Sequence, residues 1–269
     1  MTDKHLICLD LDGTLLTDDK TISSFTKQIL TQLKQDGHEV IISTGRPYRA
    51  SEIYYQELGL DAPIINFNGA FIHHPSDDTF KAVHTPLDLN IARDIFRQVE
   101  NLNIQNIIAE VKDHVYFHYH DELLFQGFNM GDPVVKSGDL SISLQEGPTS
   151  ILIQAEEEYV PAIREHLSAV YAEQIEHRRW GAPYPVIELV RKDINKAVGI
   201  QYVSEYLDIK QKNIIAFGDE DNDFEMIEYA GIGVAMDNAI QALKEKADVM
   251  TLSNNDDGIG VFLADYFNL

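Results

Sequence analysis

Apolar residues along this chain come in short runs, and each run stops at a cluster of small or acidic residues. The first, Leu6-Ile7-Cys8-Leu9, belongs to a strand predicted over 5–10 that ends at Asp10. Continuous rather than alternating hydrophobicity over so few residues predicts a strand buried on both faces. Ile22, Phe25, Ile29, Leu30 and Leu33 then recur at helical spacing, and Gly37 supplies the stop. A second strand is predicted over 39–43 and ends in Thr44-Gly45-Arg46. Pro47 suits the first turn of a helix running to about residue 58. A third strand over 63–67 leads into the turn Asn68-Gly69.

Strands alternating with helices across short connections predict a parallel sheet covered on both faces, a Rossmann-like α/β core. The pattern returns late in the chain, with strands over 213–217, before Gly218-Asp219, and over 232–235, before Asp237-Asn238. Between these halves the texture changes. Strands are expected over 105–111, 113–118 and 150–154. Two more, over 174–179 and 184–189, flank a hairpin signal at Trp180-Gly181-Ala182-Pro183. Helices are expected over 87–101 and 159–171. The expected organisation is therefore an α/β core of residues 1–83 and 189–269 carrying an inserted α+β cap at 84–188.

Composition removes several function classes. Hydrophobic residues make up 44% of the 269 positions and charged residues 24%, which excludes disordered and fibrous chains. No apolar run approaches the roughly 18 residues of a membrane span, and Asp10 and Asp12 interrupt the one stretch that could start a secretory leader. Cys8 has no second cysteine to pair with and reads as a small buried strand residue. These features lead us to expect a cytoplasmic protein without a membrane partner. The formal charge is −23; residues 84–188 hold 7 basic and 17 acidic side chains, a balance of −10, against −13 for the rest. Neither part offers a footprint for nucleic acid.

Candidate chemistry lies at the strand ends, where loops of a parallel sheet converge. In Asp10-Leu11-Asp12-Gly13-Thr14, two carboxylates one residue apart can divide labour, one attacking phosphorus and the other handling the leaving-group proton. A calcium loop counted from Asp10 fails, because Leu15 and Thr21 occupy the required glycine and carboxylate positions. Ser43-Thr44-Gly45-Arg46 offers a hydroxyl and backbone N–H groups to phosphate oxygens, or is simply a capped turn. Lys196 heads a helical stretch, where the dipole disfavours it; it is either an exposed lysine or a neutraliser of phosphate charge. Gly218-Asp219-Glu220-Asp221-Asn222-Asp223 concentrates carboxylates suited to a hard cation such as magnesium, or forms an acidic helix start.

These motifs, in this order, resemble the four motifs of haloacid dehalogenase-like hydrolases, and the large insert resembles the α/β cap of the Cof-type subfamily. Asn68-Gly69-Ala70 and Gly233-Val234-Ala235-Met236 also resemble stretches of that group. The resemblance implies a magnesium-dependent phosphatase acting on a small phosphorylated metabolite, a sugar phosphate or a cofactor-type phosphate, through an aspartyl-phosphate. Asp10 would be the nucleophile and a metal ligand, and Asp12 the acid/base with its backbone carbonyl on the metal. Asp219 would complete the protein ligands. Thr44, Gly45 and Lys196, with the Leu11 backbone, would hold the phosphoryl group. Asn222 would touch phosphate or a metal-bound water, and Asp223 would orient Lys196 or those waters. The third motif departs from the pattern, reading Asp193-Ile194-Asn195-Lys196-Ala197 where glycine is usual nearby. Within the insert, His177-Arg178-Arg179-Trp180 is the one basic-aromatic cluster, a candidate leaving-group contact or a solvated hairpin end. A phosphomutase on the same core and a non-catalytic regulatory protein remain the rival readings, and monomer or homodimer stays open.

Overall fold

The first apolar run becomes the strand Leu6–Leu9, buried at every position, in the computed structural model, which describes residues 3–128, 130–179 and 186–269. It pairs in parallel with Glu39–Ile42 on one side and Ile214–Gly218 on the other, with Leu9 opposite both Ile42 and Phe217. Ile232–Ala235 and then Val249–Met250 extend the sheet beyond Ile214–Gly218, giving a five-stranded parallel sheet among the described residues. The chain moves from Leu6–Leu9 to one neighbour first and returns to the other much later. Leu6–Leu9 therefore lies where the strand order reverses, and the loops leaving it and Ile214–Gly218 open a crevice at their carboxyl ends. Register alone puts Asp10 beside Gly218.

Two compact units make up the chain. The first contains the chain up to Arg46, Ser51–Ala82 and Asn195–Leu269; the second contains Pro47–Ala50 and Val83–Ile194. In the first unit, Ser23 caps the helix Ser24–Gln35 by accepting from the Thr26 N–H, and the buried Ile29, Leu30 and Leu33 are the periodic residues of the sequence. The third strand is shorter than expected, Ile64–Asn66, and joins the parallel order only through the bridge Ser43–Ile65. Its antiparallel partner Phe71–His73 follows the turn Asn68-Gly69 and is not among the expected strands, being only three residues long.

The second unit holds a six-stranded sheet among the described residues. Its order is Ile175–Arg179, Val186–Arg191, Ser150–Ala155, Ile104–Val111, His114–Phe117 and Val135–Ser137, antiparallel except for the last pair. One face packs Ile107, Ala109, Ile151 and Ile153 against Ile95 and Phe96 of Leu89–Phe96 and Ile163 of Val160–Tyr171. The other face packs Ile108, Phe117 and Leu152 against Phe125 and Phe128. Strands with both faces covered read as unbroken apolar runs, as Ile107-Ile108-Ala109 does.

Val186–Arg191 is one continuous strand, so the contact break falls at Ile194/Asn195, six residues beyond the sequence-based boundary of 188/189. The helix expected over 87–101 covers only Leu89–Phe96. The hairpin signal at 180–183, and the start of the strand expected from 184, lie outside the described residues. Among the described residues no helix is long and apolar enough to cross a membrane. Cys8 is fully buried, and burial pushes its thiol well above the usual range, which leaves it inert as a nucleophile.

Candidate active site

Lys196 is the centre of the crevice, not the exposed lysine its helix-start position suggested. It is 0% exposed, and its Nζ lies 2.6 Å from Asp10 Oδ1 and 2.6 Å from Asp223 Oδ1. Asn195 caps the helix Lys196–Tyr206 by accepting from the Val198 N–H, which fixes the angle at which Lys196 enters. Burial works against the ammonium, but Asp10 and Asp223 outweigh it and push the lysine's pKa up. Removing Lys196, and so leaving these buried carboxylates uncompensated, typically costs about 3–5 kcal/mol.

Asp223 is held on every side. Its Oδ1 accepts from Lys196, and its Oδ2 accepts from the backbone N–H groups of Asp219, at 2.9 Å, and Glu220, at 3.1 Å. It thereby sets the loop that presents Asp219. The Asp219 carboxylate is in turn aimed by Thr14, whose hydroxyl donates to Oδ1 at 2.7 Å. Gly13 passes beneath with φ +76°, and a Cβ there would lie 2.2 Å from Asp219 Oδ2. The glycine of the first motif is thus required twice, for its backbone conformation and for its missing side chain.

Asp10, Asp219 and Asp223 each place a carboxylate oxygen within 4.8 Å of the others. Three carboxylates face one ammonium. Burial pushes Asp10 well above the ordinary carboxylate range; Lys196 opposes this, while Asp223 and Asp219 add to it. Asp219 is pushed up to about 7, by burial first and the Asp223 charge second. The oxygen-only donor set and its uncompensated charge fit a hard divalent cation; both Asp223 oxygens are used, while Asp10 and Asp219 each have one oxygen left that could hold it.

Asp12 does not join this cluster. Arg46 grips its carboxylate in a two-pronged pair, Nε to Oδ2 and a terminal nitrogen to Oδ1, both 2.6 Å, and Lys20 Nζ lies 2.7 Å from Oδ1. Burial raises the Asp12 pKa, but Arg46 and then Lys20 outweigh it, so the net shift is downward. Arg46 also stacks over Tyr54, 5.5 Å from the ring centroid. Arg46 stood in the second motif without an assigned role, and Lys20 was missed; nothing in spacing ties either to Asp12.

Thr44 is buried, with its hydroxyl accepting from the Arg46 N–H at 3.1 Å. Asn222 Nδ2 donates to Asn68 Oδ1 at 3.0 Å. In the third motif, Asp193 takes φ +61°, a left-handed conformation that glycine adopts freely and aspartate tolerates. Arg178 and Arg179 lie on the strand Ile175–Arg179 of the second unit; Arg179 pairs with Glu157 at 2.6 Å, and Arg178 is in register with Glu188.

A family model of haloacid dehalogenase-like hydrolases matches residues 7–263, and the chain belongs to that family. Over 268 residues it is 55% identical to the 5-amino-6-(5-phospho-D-ribitylamino)uracil phosphatase YitU of Bacillus subtilis (strain 168), covering 100% of this chain and 99% of that protein. A haloacid dehalogenase-like hydrolase from Bacteroides thetaiotaomicron shares the fold at TM-score 0.86 and 24% identity, covering 98% of this chain and 100% of that one. TM0651 from Thermotoga maritima matches at TM-score 0.83 and 27% identity, with 97% of each covered. The chain is a phosphatase of this family, acting on a small phosphorylated metabolite.

The raised Asp219 value has a testable sign. Its ordinary value is 3.8 and its folded value about 7, so between these the folded state binds more protons than the unfolded one. That contribution is complete at low pH and is lost as pH rises through the window. Burial lowers His38, His84, His118 and His177, which act in the opposite direction. The comparison is therefore with Asp219→Asn, which keeps those histidines and the Thr14 acceptor. In metal-free buffer the parent's Tm should fall relative to the variant's between about pH 4 and about pH 7. Parallel curves would remove the charge excess from this site.

Proposed function

We propose that this phosphatase removes phosphate from 5-amino-6-(5-phospho-D-ribitylamino)uracil, with the first unit as catalytic core and the second as cap. The substrate assignment is supported by the 55% identity with YitU across essentially both full lengths. The observation that carries the chemistry is the buried Asp10 carboxylate on Lys196, beside Asp219 and Asp223. Asp10, the Asp12 backbone carbonyl and Asp219 would hold magnesium, which screens the nucleophile from the phosphate dianion and clamps the phosphoryl oxygens when bound.

An Asp10 carboxylate oxygen attacks phosphorus, and the bond from phosphorus to the ribityl oxygen breaks. The leaving group is the primary ribityl oxygen, a poor one as the alkoxide, so Asp12 in its protonated form must deliver a proton to that oxygen as the bond opens. Water then attacks phosphorus, Asp12 takes its proton, and inorganic phosphate leaves with Asp10 restored. The Leu11 backbone, Thr44, Gly45 and Lys196 hold the transferring group, Asn222 supports it, and Asp223 holds Lys196 in place. Asp12 must leave Arg46 and Lys20 to act, which makes the observed two-pronged grip a resting arrangement.

Phosphate release should be measured over 5-amino-6-(5-phospho-D-ribitylamino)uracil, flavin mononucleotide, pyridoxal phosphate and sugar phosphates, with magnesium and with chelator. The ribitylaminouracil ester should give the highest kcat/KM, by at least about tenfold, and chelator should abolish turnover. A higher kcat/KM for any other ester overturns the substrate assignment, and an isomerised phosphate ester in place of inorganic phosphate would indicate a mutase. Arg178 and Arg179 are assigned to the leaving group. If replacing both by alanine shifts kcat/KM by less than about twofold for every ester, that assignment fails.

A further inference from the structure

Three consecutive residues after the strand Ile64–Asn66 have left-handed backbone: Phe67 at φ +51°, Asn68 at +53° and Gly69 at +103°. Glycine takes this conformation freely and asparagine tolerates it, but a bulky aromatic residue does not. Strain of this kind persists only where surrounding structure imposes it. Here the Phe67 N–H donates to the Arg46 carbonyl, and Asn66 Nδ2 donates to the same carbonyl at 2.9 Å and to Ser51 Oγ at 3.0 Å.

What the strained turn delivers is the Asn68 side chain. Asn68 is 2% exposed, and its N–H donates to the Thr44 carbonyl at 3.0 Å. Its side-chain amide lies 3.2–3.3 Å from where a Cβ of Gly45 would be, while its Oδ1 accepts from Asn222. At Gly69 a Cβ would lie 2.3 Å from the Asn195 carbonyl, one residue before Lys196. The turn thus touches the Thr44-Gly45 loop, Asn222 and the segment entering Lys196. Among the described residues, Asn68 Nδ2 donates to no protein atom, the side chain's one hydrogen bond being the one its Oδ1 accepts from Asn222. A nearly buried residue whose amide edge lies beside Gly45, with its oxygen used by Asn222 and its nitrogen left to donate, is suited to an anion.

We propose that Asn68 is a further phosphoryl-binding residue, its Nδ2 donating to a non-bridging oxygen of the transferring group. The proposal rests on the reading that Thr44, Gly45 and Asn222 line the phosphate site. Two variants separate it from a purely conformational role. Asn68→Gly relieves the left-handed backbone while deleting the amide. Asn68→Asp keeps size, backbone tolerance and the acceptor for Asn222, but removes both donors and adds charge.

Both variants should lower kcat/KM by about tenfold to a hundredfold and weaken inhibition by vanadate to a similar extent, with Asn68→Asp the more affected. A Tm within a few degrees of the parent's would accompany the loss. Asn68→Gly with parental kcat/KM and vanadate inhibition overturns the proposal. Thr44→Val, measured alongside, separates the failures. If it weakens vanadate and Asn68→Gly does not, only the role of Asn68 falls; if neither does, the phosphate site itself has been misplaced.

Discussion

Asp10→Asn is expected to lower phosphate release by at least about 10⁴-fold while raising the Tm of the metal-free protein. The two effects have one cause. Asp10 is 6% exposed and shares Lys196 with Asp223, while Asp219 stands unpaired by any cation among the described residues. An amide at position 10 can still accept from Lys196, yet it leaves two carboxylates rather than three facing the ammonium. Repulsion and the desolvation of one charge are both relieved. The same amide cannot form the aspartyl-phosphate, so the chemical step is lost and not merely slowed by misplacement.

Opposite signs for activity and stability mark a residue kept for chemistry at the expense of the fold. A purely structural Asp10 would give the reverse pattern, lower Tm with activity partly retained. Thermal unfolding in chelator and phosphate release in magnesium read the two quantities separately. Release within about a hundredfold of the parent's would remove Asp10 as the nucleophile.

The parts of this site legible in the sequence are those dictated by the parallel sheet. Such a sheet gathers the carboxyl ends of its strands on one edge, so Asp10, Thr44 and Asp219, each just past an apolar run, could be read as neighbours. Lys196 was legible as an anomaly, a cation where the helix dipole disfavours one, but its complete burial was not, because burial depends on packing by Asp10 and Asp223 from distant segments. Arg46 on Asp12 and Asn222 on Asn68 link positions 34 and 154 residues apart. Neither pair has a periodicity or spacing that announces it. The left-handed Phe67 is likewise illegible, since nothing in an aromatic residue signals positive φ and the cause lies in hydrogen bonds to Arg46. In the second unit, short apolar runs located most strands, whereas Val135–Ser137, with an exposed polar pattern, left no trace.

Gly13→Ala tests how far the metal position depends on one missing methyl group. The added Cβ would lie 2.2 Å from Asp219 Oδ2 and 2.8 Å from its Cγ, well inside van der Waals contact. Asp219 cannot retreat cheaply, because Thr14 holds Oδ1 and the Asp223 carboxylate holds the Asp219 N–H. The Gly13 backbone is itself pinned, its carbonyl accepting from Asn238 Nδ2 at 2.7 Å. The carboxylate therefore has to rotate off the cation position. Kcat/KM should fall by at least about a hundredfold, and the magnesium concentration giving half-maximal activity should rise by at least about tenfold. Gly37→Ala is the matched control, with φ +93° and no atom within 4 Å of its Cβ. It bears the left-handed cost alone, about 1–2 kcal/mol of stability, and should leave both kinetic quantities unchanged. If Gly13→Ala alters Tm as Gly37→Ala does and leaves the magnesium dependence where it was, then Asp219 does not bind the catalytic cation.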